Sequence, residues 1–241
     1  MQTKHRFDTK SSQEATAIQY TLIRSKRKSV VLRIRDTVVE VRAPLRLPKY
    51  KIDEFVASNE NWITTTLALS NERLRQREKF TLTYGSLIRY RGDKYPTCAR
   101  NGNQIGFDGT SFYMPPNLSE ELIKATCIQI YYILAKDVLA EKVLKYCKII
   151  NVTPSAIKIS GAKTRWGSCS IKKNLNFSWR LMMLSDVEID YVVVHELAHI
   201  LEMNHSKRFW SIVENILPDY RKRKSSLREF GKQLSKENWV V

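Results

Sequence analysis

The stretch YVVVHELAHILEMNHSKRFW, residues 191–210, holds three of the four histidines in the chain. Around His195, Glu196 and His199 nearly every neighbour is apolar, which marks an element buried on several faces. Two imidazoles and a carboxylate left unpaired in such surroundings carry a heavy desolvation cost. A lone core histidine is ordinarily satisfied by one polar neighbour. Two histidines and a glutamate within five residues point instead to a shared partner, and a metal ion is the partner that imidazole nitrogens hold best.

The helix carrying them has a visible start, because Ser185 and Glu188 fit the S-x-x-E capping box. His195 and His199 then fall in mid-helix, one turn apart and about 40° apart around the axis. Both rings can reach one tetrahedral ion from the same face. Glu196 is turned about 100° from His195, placed to act on a metal-activated water without being a ligand. The order His-Glu-Leu-Ala-His is the H-E-x-x-H zinc hydrolase pattern. For the third ligand His205 is favoured over the carboxylates of Glu202, Glu214 and Asp219. The interval from His199 to His205 equals that of the metzincins, whose helix breaks at an intervening glycine. Here Glu202 occupies that position and no methionine follows Met203, so the metzincin reading fails. Asn204, tolerant of the left-handed conformation, is the expected helix exit.

Upstream, Leu175, Phe177, Trp179 and Leu181 alternate with polar residues, as a strand with one buried face requires. SIKKN, residues 170–174, turns this strand back toward Thr164–Cys169. Gly167 within a strand marks a bulge or a close approach. The segment Trp166, Gly167, Ser168, Cys169 and Ser170 is therefore expected to form or border an exposed strand edge beside the metal, where an extended peptide adds as a further strand. Cys169 is set aside as a nucleophile, since each histidine able to activate it is better used on metal. Arg165, Arg180 and Tyr220 are the candidate donors to a tetrahedral oxyanion. Phe209 and Trp210 read as core contacts of a following helix, and RKRKSSLR, residues 221–228, as a solvated basic face.

Elsewhere, residues 20–44 alternate around a basic turn and predict a hairpin joined at Asp36–Thr37. Residues 48–79 have helical apolar spacing. Short strands with Gly-Asp, Asn-Gly and Asp-Gly turn signals follow. A helix of some thirty residues then starts at the N-cap Ser119 and stops before Pro154. The expected organisation is a loose tail over 1–18, a β-rich region with one helix over 19–116, and an α+β catalytic region over 117–241.

At 241 residues, 43% hydrophobic and 27% charged, the chain is long enough to bury a core. It has no apolar run near the roughly 20 residues of a membrane span, so no membrane partner is expected. A polar start without a signal-type apolar run makes the cytoplasm the expected compartment. Four scattered cysteines with no CxxC fit reduced thiols. The net charge of +17 draws anionic partners and makes nucleic acid a candidate. The rival reading is thus a basic DNA-associated protein, with a structural metal site or with protease action on nucleic-acid-bound proteins.

The block AKTRWGSCSIKKNLNFSWRLMMLSDVEIDYVVVHELAHILEMNHSKRFWSIVENILPDY resembles the YgjP-like zinc metallopeptidase family, a relative of the SprT-like and WLM peptidases. The resemblance is carried by RWGSCS, DYVVVHELAH, NHSKRFW and PDY in one order. With RSKRKSVVLRI, VRAP and NWI upstream it spans about residues 20–230. It implies a zincin-like metallopeptidase domain behind a small β-rich N-terminal region. It also implies Zn2+ held by His195, His199 and His205, with Glu196 catalytic. The expected activity is a zinc metallopeptidase, an endopeptidase acting on polypeptides.

Overall fold

The structure, a computed structural model, describes residues 18–35 and 37–240. Residues 1–17 of the expected tail and Asp36 of the expected turn lie outside the described residues. The chain divides into two compact units, Met1–Gln76 and Arg77–Val241.

In the first unit, β1 (Thr21–Ser25), β2 (Val31–Arg35) and β3 (Val38–Pro44) form a sheet in the order β1-β3-β2. β2 and β3 are antiparallel with Arg35 opposite Val38, the expected hairpin, and β1 runs parallel to β3. Val39, Val41 and Ala43 alternate inward along β3. They pack on Ile52 and Val56 of α1 (Lys49–Ala57) and Ile63 of α2 (Glu60–Glu78). Two helices thus replace the single one expected over 48–79. The break has a local cause: Ser58 Oγ and Asn59 Nδ2 both donate to the Phe55 carbonyl, at 2.9 and 2.7 Å. Such side-chain bonds compete with helix continuation.

The second unit opens with β4 (Leu87–Tyr90), β5 (Asp93–Ala99), β6 (Gly106–Phe107) and β7 (Phe112–Met114), ordered β4-β5-β7-β6. α3 (Glu120–Ile150) follows, with the Ser119 hydroxyl accepting from Leu122 N and Asn151 closing the helix in the left-handed conformation. Next come β8 (Ala156–Ser160), β9 (Gly167–Cys169) and β10 (Asn174–Ser178). β10 is central, parallel to β8 and antiparallel to β9, so β9 is an edge strand. α4 (Asp186–Ala198), α5 (Lys207–Ile216) and α6 (Tyr220–Leu234) complete an α+β fold.

The strand expected to run through Leu181 stops at Ser178. Trp179–Met183 is a 3-10 helix with all five residues buried, so no polar face remains for a strand to expose. The sheet β4–β7 shares its core with α3 and α4, where the sequence reading grouped it with the N-terminal region. Phe112 of β7 lies 5.4 Å from Tyr131 of α3, and the Tyr131 hydroxyl donates to Arg89 O at 2.5 Å. Near the C-terminus, Trp239 is 5% exposed among Phe80, Tyr131 and Trp179, at centroid distances of 5.2 to 5.9 Å. Removing so large a ring leaves a cavity the surrounding aromatics cannot close. Trp239→Ala is therefore expected to lower stability by about 3–5 kcal/mol, measured by urea unfolding.

Candidate active site

α4 is pinned at its start by charge and by a turn. Asp186, in its first turn, accepts from Arg91 Nη2 at 2.5 Å and from Lys142 of α3 at 3.0 Å, and Lys142 also reaches Asp190 at 2.6 Å. An acidic residue there also complements the helix dipole. The Arg91–Gly92 turn between β4 and β5 has positive φ at both residues. A Cβ on Gly92 would sit 3.1 Å from that of Ser185. The reciprocal capping box is not formed: Ser185 Oγ bonds the Glu188 carboxylate itself, whose other oxygen accepts from Ser226 of α6 at 2.5 Å. Glu188 therefore ties α4 to α6 instead of capping an amide.

The helix ends earlier than its apolar pattern implies. His199 is the residue after its last turn, with helical φ and ψ, and Asn204 has no positive φ. Ile200 and Leu201 continue in short turns onto Leu197 and Ala198. The chain then reverses into α5, whose N-cap Ser206 accepts from Phe209 N at 3.3 Å. This reversal brings His205 back over α4.

The three imidazoles each offer one nitrogen, and these nitrogens all lie within 4.8 Å of one another. His195 Nε2 and His205 Nε2 are 3.1 Å apart. Nitrogens bound to one tetrahedral zinc sit about 3.4 Å apart, given Zn–N distances of about 2.0–2.1 Å, so the pair has the spacing of such an edge. His199 Nδ1 donates to the Glu202 carbonyl at 3.1 Å, which fixes its tautomer and leaves Nε2 as the acceptor nitrogen. His195 Nδ1 is buried with no hydrogen-bond partner among the described residues. An imidazole desolvated on that side finds compensation in a cation on the other. Phe209, fully buried, holds all three rings, with centroids 4.5 to 4.9 Å from its own. Trp210 stacks on His205 at 5.5 Å and on Tyr220 at 5.3 Å. The donor set fits a divalent ion of the zinc class.

Glu196 is 6% exposed and its side chain makes no hydrogen bond among the described residues. β9 comes against it because position 167 is glycine: a Cβ there would lie 2.7 Å from both Cγ and Oε1 of Glu196. Glu196 and His195 open into a cleft of about 570 Å³. Trp166 and Gly167 form one wall, Tyr191 and Val192 of α4 lie beside the histidine, and α6 forms the other wall. Burial pushes the Glu196 carboxyl up to about 7, with Arg165 pulling the other way. Burial, then the neighbouring rings and Lys224, hold His195 down to about 3, so it is a neutral donor at pH 7. His205 is lowered for the same reasons, burial first and then His199 and Lys224.

The family model described as YgjP-like, metallopeptidase domain, matches residues 28–230. The chain belongs to the YgjP-like metallopeptidase family. Among solved structures, the metallopeptidase zymogen of Pyrococcus abyssi abylysin covers 37% of this chain and 90% of its own, at 21% identity and a TM-score of 0.35. The zymogen of Methanocaldococcus jannaschii jannalysin covers 38% and 94%, at 21% and 0.35. Among curated proteins none matches the chain. No helix among the described residues is long and apolar enough to cross a membrane.

In this YgjP-like metallopeptidase, His195, Glu196, His199, His205, Trp166 and Gly167 come together, whereas other expected site residues do not. Arg180 is not available to an oxyanion: its guanidinium donates to the carbonyls of Gly161, Ala162 and Trp239 at 3.0 to 3.3 Å. Tyr220 is buried under Trp210 and does not line the cleft. Exposed Arg165 does not line the cleft either, although its charge reaches Glu196. Ser168 sits in β9 opposite Asn176. The Cys169 thiol, pushed up by burial and Glu196, is no thiolate at neutral pH. Of the rival carboxylates, Glu214 is turned to Arg221 and Asp219 to Arg223.

Three features escaped the sequence reading. Phe209 passes for ordinary core until its contact with all three imidazoles is seen. Tyr191, one turn before His195, lies 5.8 Å from it in the same cleft, which helical spacing alone could have signalled. The basic run of α6 faces the cleft as well as solvent.

In the metal-free protein the folded chain holds the Glu196 proton up to about pH 7, while an unfolded chain releases it near 4.5. The unfolded state therefore binds fewer protons in that window, and stability falls as pH rises through it. Metal-free Glu196→Gln is expected to be more stable than the parent at pH 8 by on the order of 2 kcal/mol, and level with it at pH 4. Denaturant melts at the two pH values measure this directly.

Proposed function

We propose that this metallopeptidase is a zinc-dependent endopeptidase in which Glu196 is the general base. The observation that carries the reading is the convergence of three imidazole nitrogens within 4.8 Å beside a buried carboxylate that faces an edge strand. Bound by His195, His199 and His205, zinc would supply a Lewis acid for the scissile carbonyl and bring the pKa of a water toward neutrality. Glu196 takes a proton from the attacking water and delivers it to the leaving amine. A carboxyl held near neutrality suits both halves of that transfer.

The substrate lies extended along β9, pairing its backbone with the edge that β10 leaves free. Gly167 lets the β9 backbone itself run close to Glu196. A site that grips backbone rather than a chain terminus supports cleavage within a polypeptide. Arg165 is the remaining candidate for the oxyanion, as a cation near Glu196 with no hydrogen bond or ion pair among the described residues. The four cysteines stand free, which supports a reducing compartment, the cytoplasm.

Elemental analysis is expected to find one zinc per chain. Chelation should abolish peptide hydrolysis and added zinc should restore it. Glu196→Gln should keep the metal and lose about 10²–10⁴-fold in kcat, the scale of a positioned base, whereas His205→Ala should lose the metal itself. Full activity in Glu196→Gln would remove the base from the mechanism. Gly167→Ala, which drives a methyl into Glu196, should depress kcat/KM more than tenfold at unchanged zinc content; unchanged kcat/KM would mean the close approach has no role.

A further inference from the structure

The wall of the cleft opposite β9 is strongly cationic. Arg221, Lys224 and Arg228 lie at i, i+3 and i+7 along α6, on one helical face, and all three line the same cleft as His195 and Glu196. Glu196 is the only carboxylate in that lining among the described residues. Of the other cations of α6, Arg223 is paired with Asp219 and Lys232 with Glu229, while Lys222, outside the cleft, has no ion pair among the described residues. Arg221 is paired with Glu214 at 3.1 Å. Lys224 and Arg228, both exposed, have no ion pair among the described residues. The Lys224 ammonium rests 4.5 Å above the Trp210 ring, the ring that stacks on His205. A positive charge is thereby held beside the metal ligands and left without a counter-ion.

From this wall we infer a specificity subsite for acidic side chains, glutamate or aspartate, close to the bond that is cut. The inference rests on the peptidase reading above and deepens it. A peptide paired along β9 sends alternate side chains to opposite sides, so one set points across the cleft toward α6. Buried Tyr191, Val192 and Leu227 supply an apolar floor for the methylenes of such a side chain. Lys224 and Arg228 stand at the rim to meet its carboxylate. A lysine or arginine at the same place would meet like charge, so the wall repels basic residues as well as attracting acidic ones.

The test uses the zinc-loaded full chain and a peptide library varied on both sides of a central bond, with cut sites read by mass spectrometry. Acidic residues within two positions of the cut should raise kcat/KM roughly fivefold over glutamine or asparagine, the scale of an exposed ion pair. Arg228→Glu and Lys224→Glu should each erase or reverse that preference. Lys222→Glu, the same charge change on α6 outside the cleft, should preserve it. Cleavage that ignores charge, or a Lys222→Glu protein altered as much as the other two, overturns the subsite while leaving the peptidase intact. Binding of a fluorescent glutamate-containing peptide to zinc-loaded Glu196→Gln provides a readout that needs no turnover. Affinity lost on Arg228→Glu supports the subsite even if no cleavage is detected. Absence of binding, or displacement by random duplex DNA at lower concentration than by acidic peptide, overturns it in favour of another partner for the basic wall.

Discussion

The site depends on one desolvated turn of α4. His195 and Glu196 lie in the last turn of α4 and His199 follows directly, among Tyr191 to Val194, Leu197 and Ala198, all buried. Water reaches that turn only from the cleft, so most partners of its polar groups must come from the protein. The His199 ring is held by a backbone carbonyl, and His195 Nδ1 is buried without a hydrogen-bond partner among the described residues. The rings are instead fixed sterically, by one fully buried phenylalanine in contact with all three. Packing of this kind restricts the three rings to directions from which one ion could be held.

The same burial shapes the chemistry of Glu196. A carboxylate beside solvent would titrate near its ordinary value and hold its proton poorly at pH 7. Pressed under Gly167 and removed from water, it is raised to about 7. One missing Cβ thus couples the position of the β9 edge to the proton affinity of Glu196. The glycine does this by absence of bulk: no positive φ is recorded for it.

Around this centre the second unit is layered so that distant segments converge. The hairpin turn at Arg91–Gly92 braces the N-terminus of α4, α3 supplies Lys142 to its acidic first turn, and α6 reaches it through Ser226 and Glu188. The sheet β4–β7 belongs to this core because its aromatics bury against α3. Turn signals and alternation describe a strand but not its neighbour, which is why sequence position alone assigned that sheet to the N-terminal region.

What the sequence determined by itself is the part governed by short-range rules. H-E-x-x-H in an apolar helix marks His195 and His199 as a candidate ligand pair with His205 as the candidate third, because residue type and helical pitch are local properties. The α+β class, the long helix from Ser119 and the β2–β3 hairpin are legible for the same reason. Tertiary structure decided the rest. It ended α4 at Ala198, folded Trp179–Met183 into a 3-10 turn and spent Arg180 on three backbone carbonyls. It also brought the basic face of α6 across from β9 and put Phe209 under the rings. Each of those outcomes depends on contacts between residues far apart along the chain, whose burial and partners no local pattern encodes.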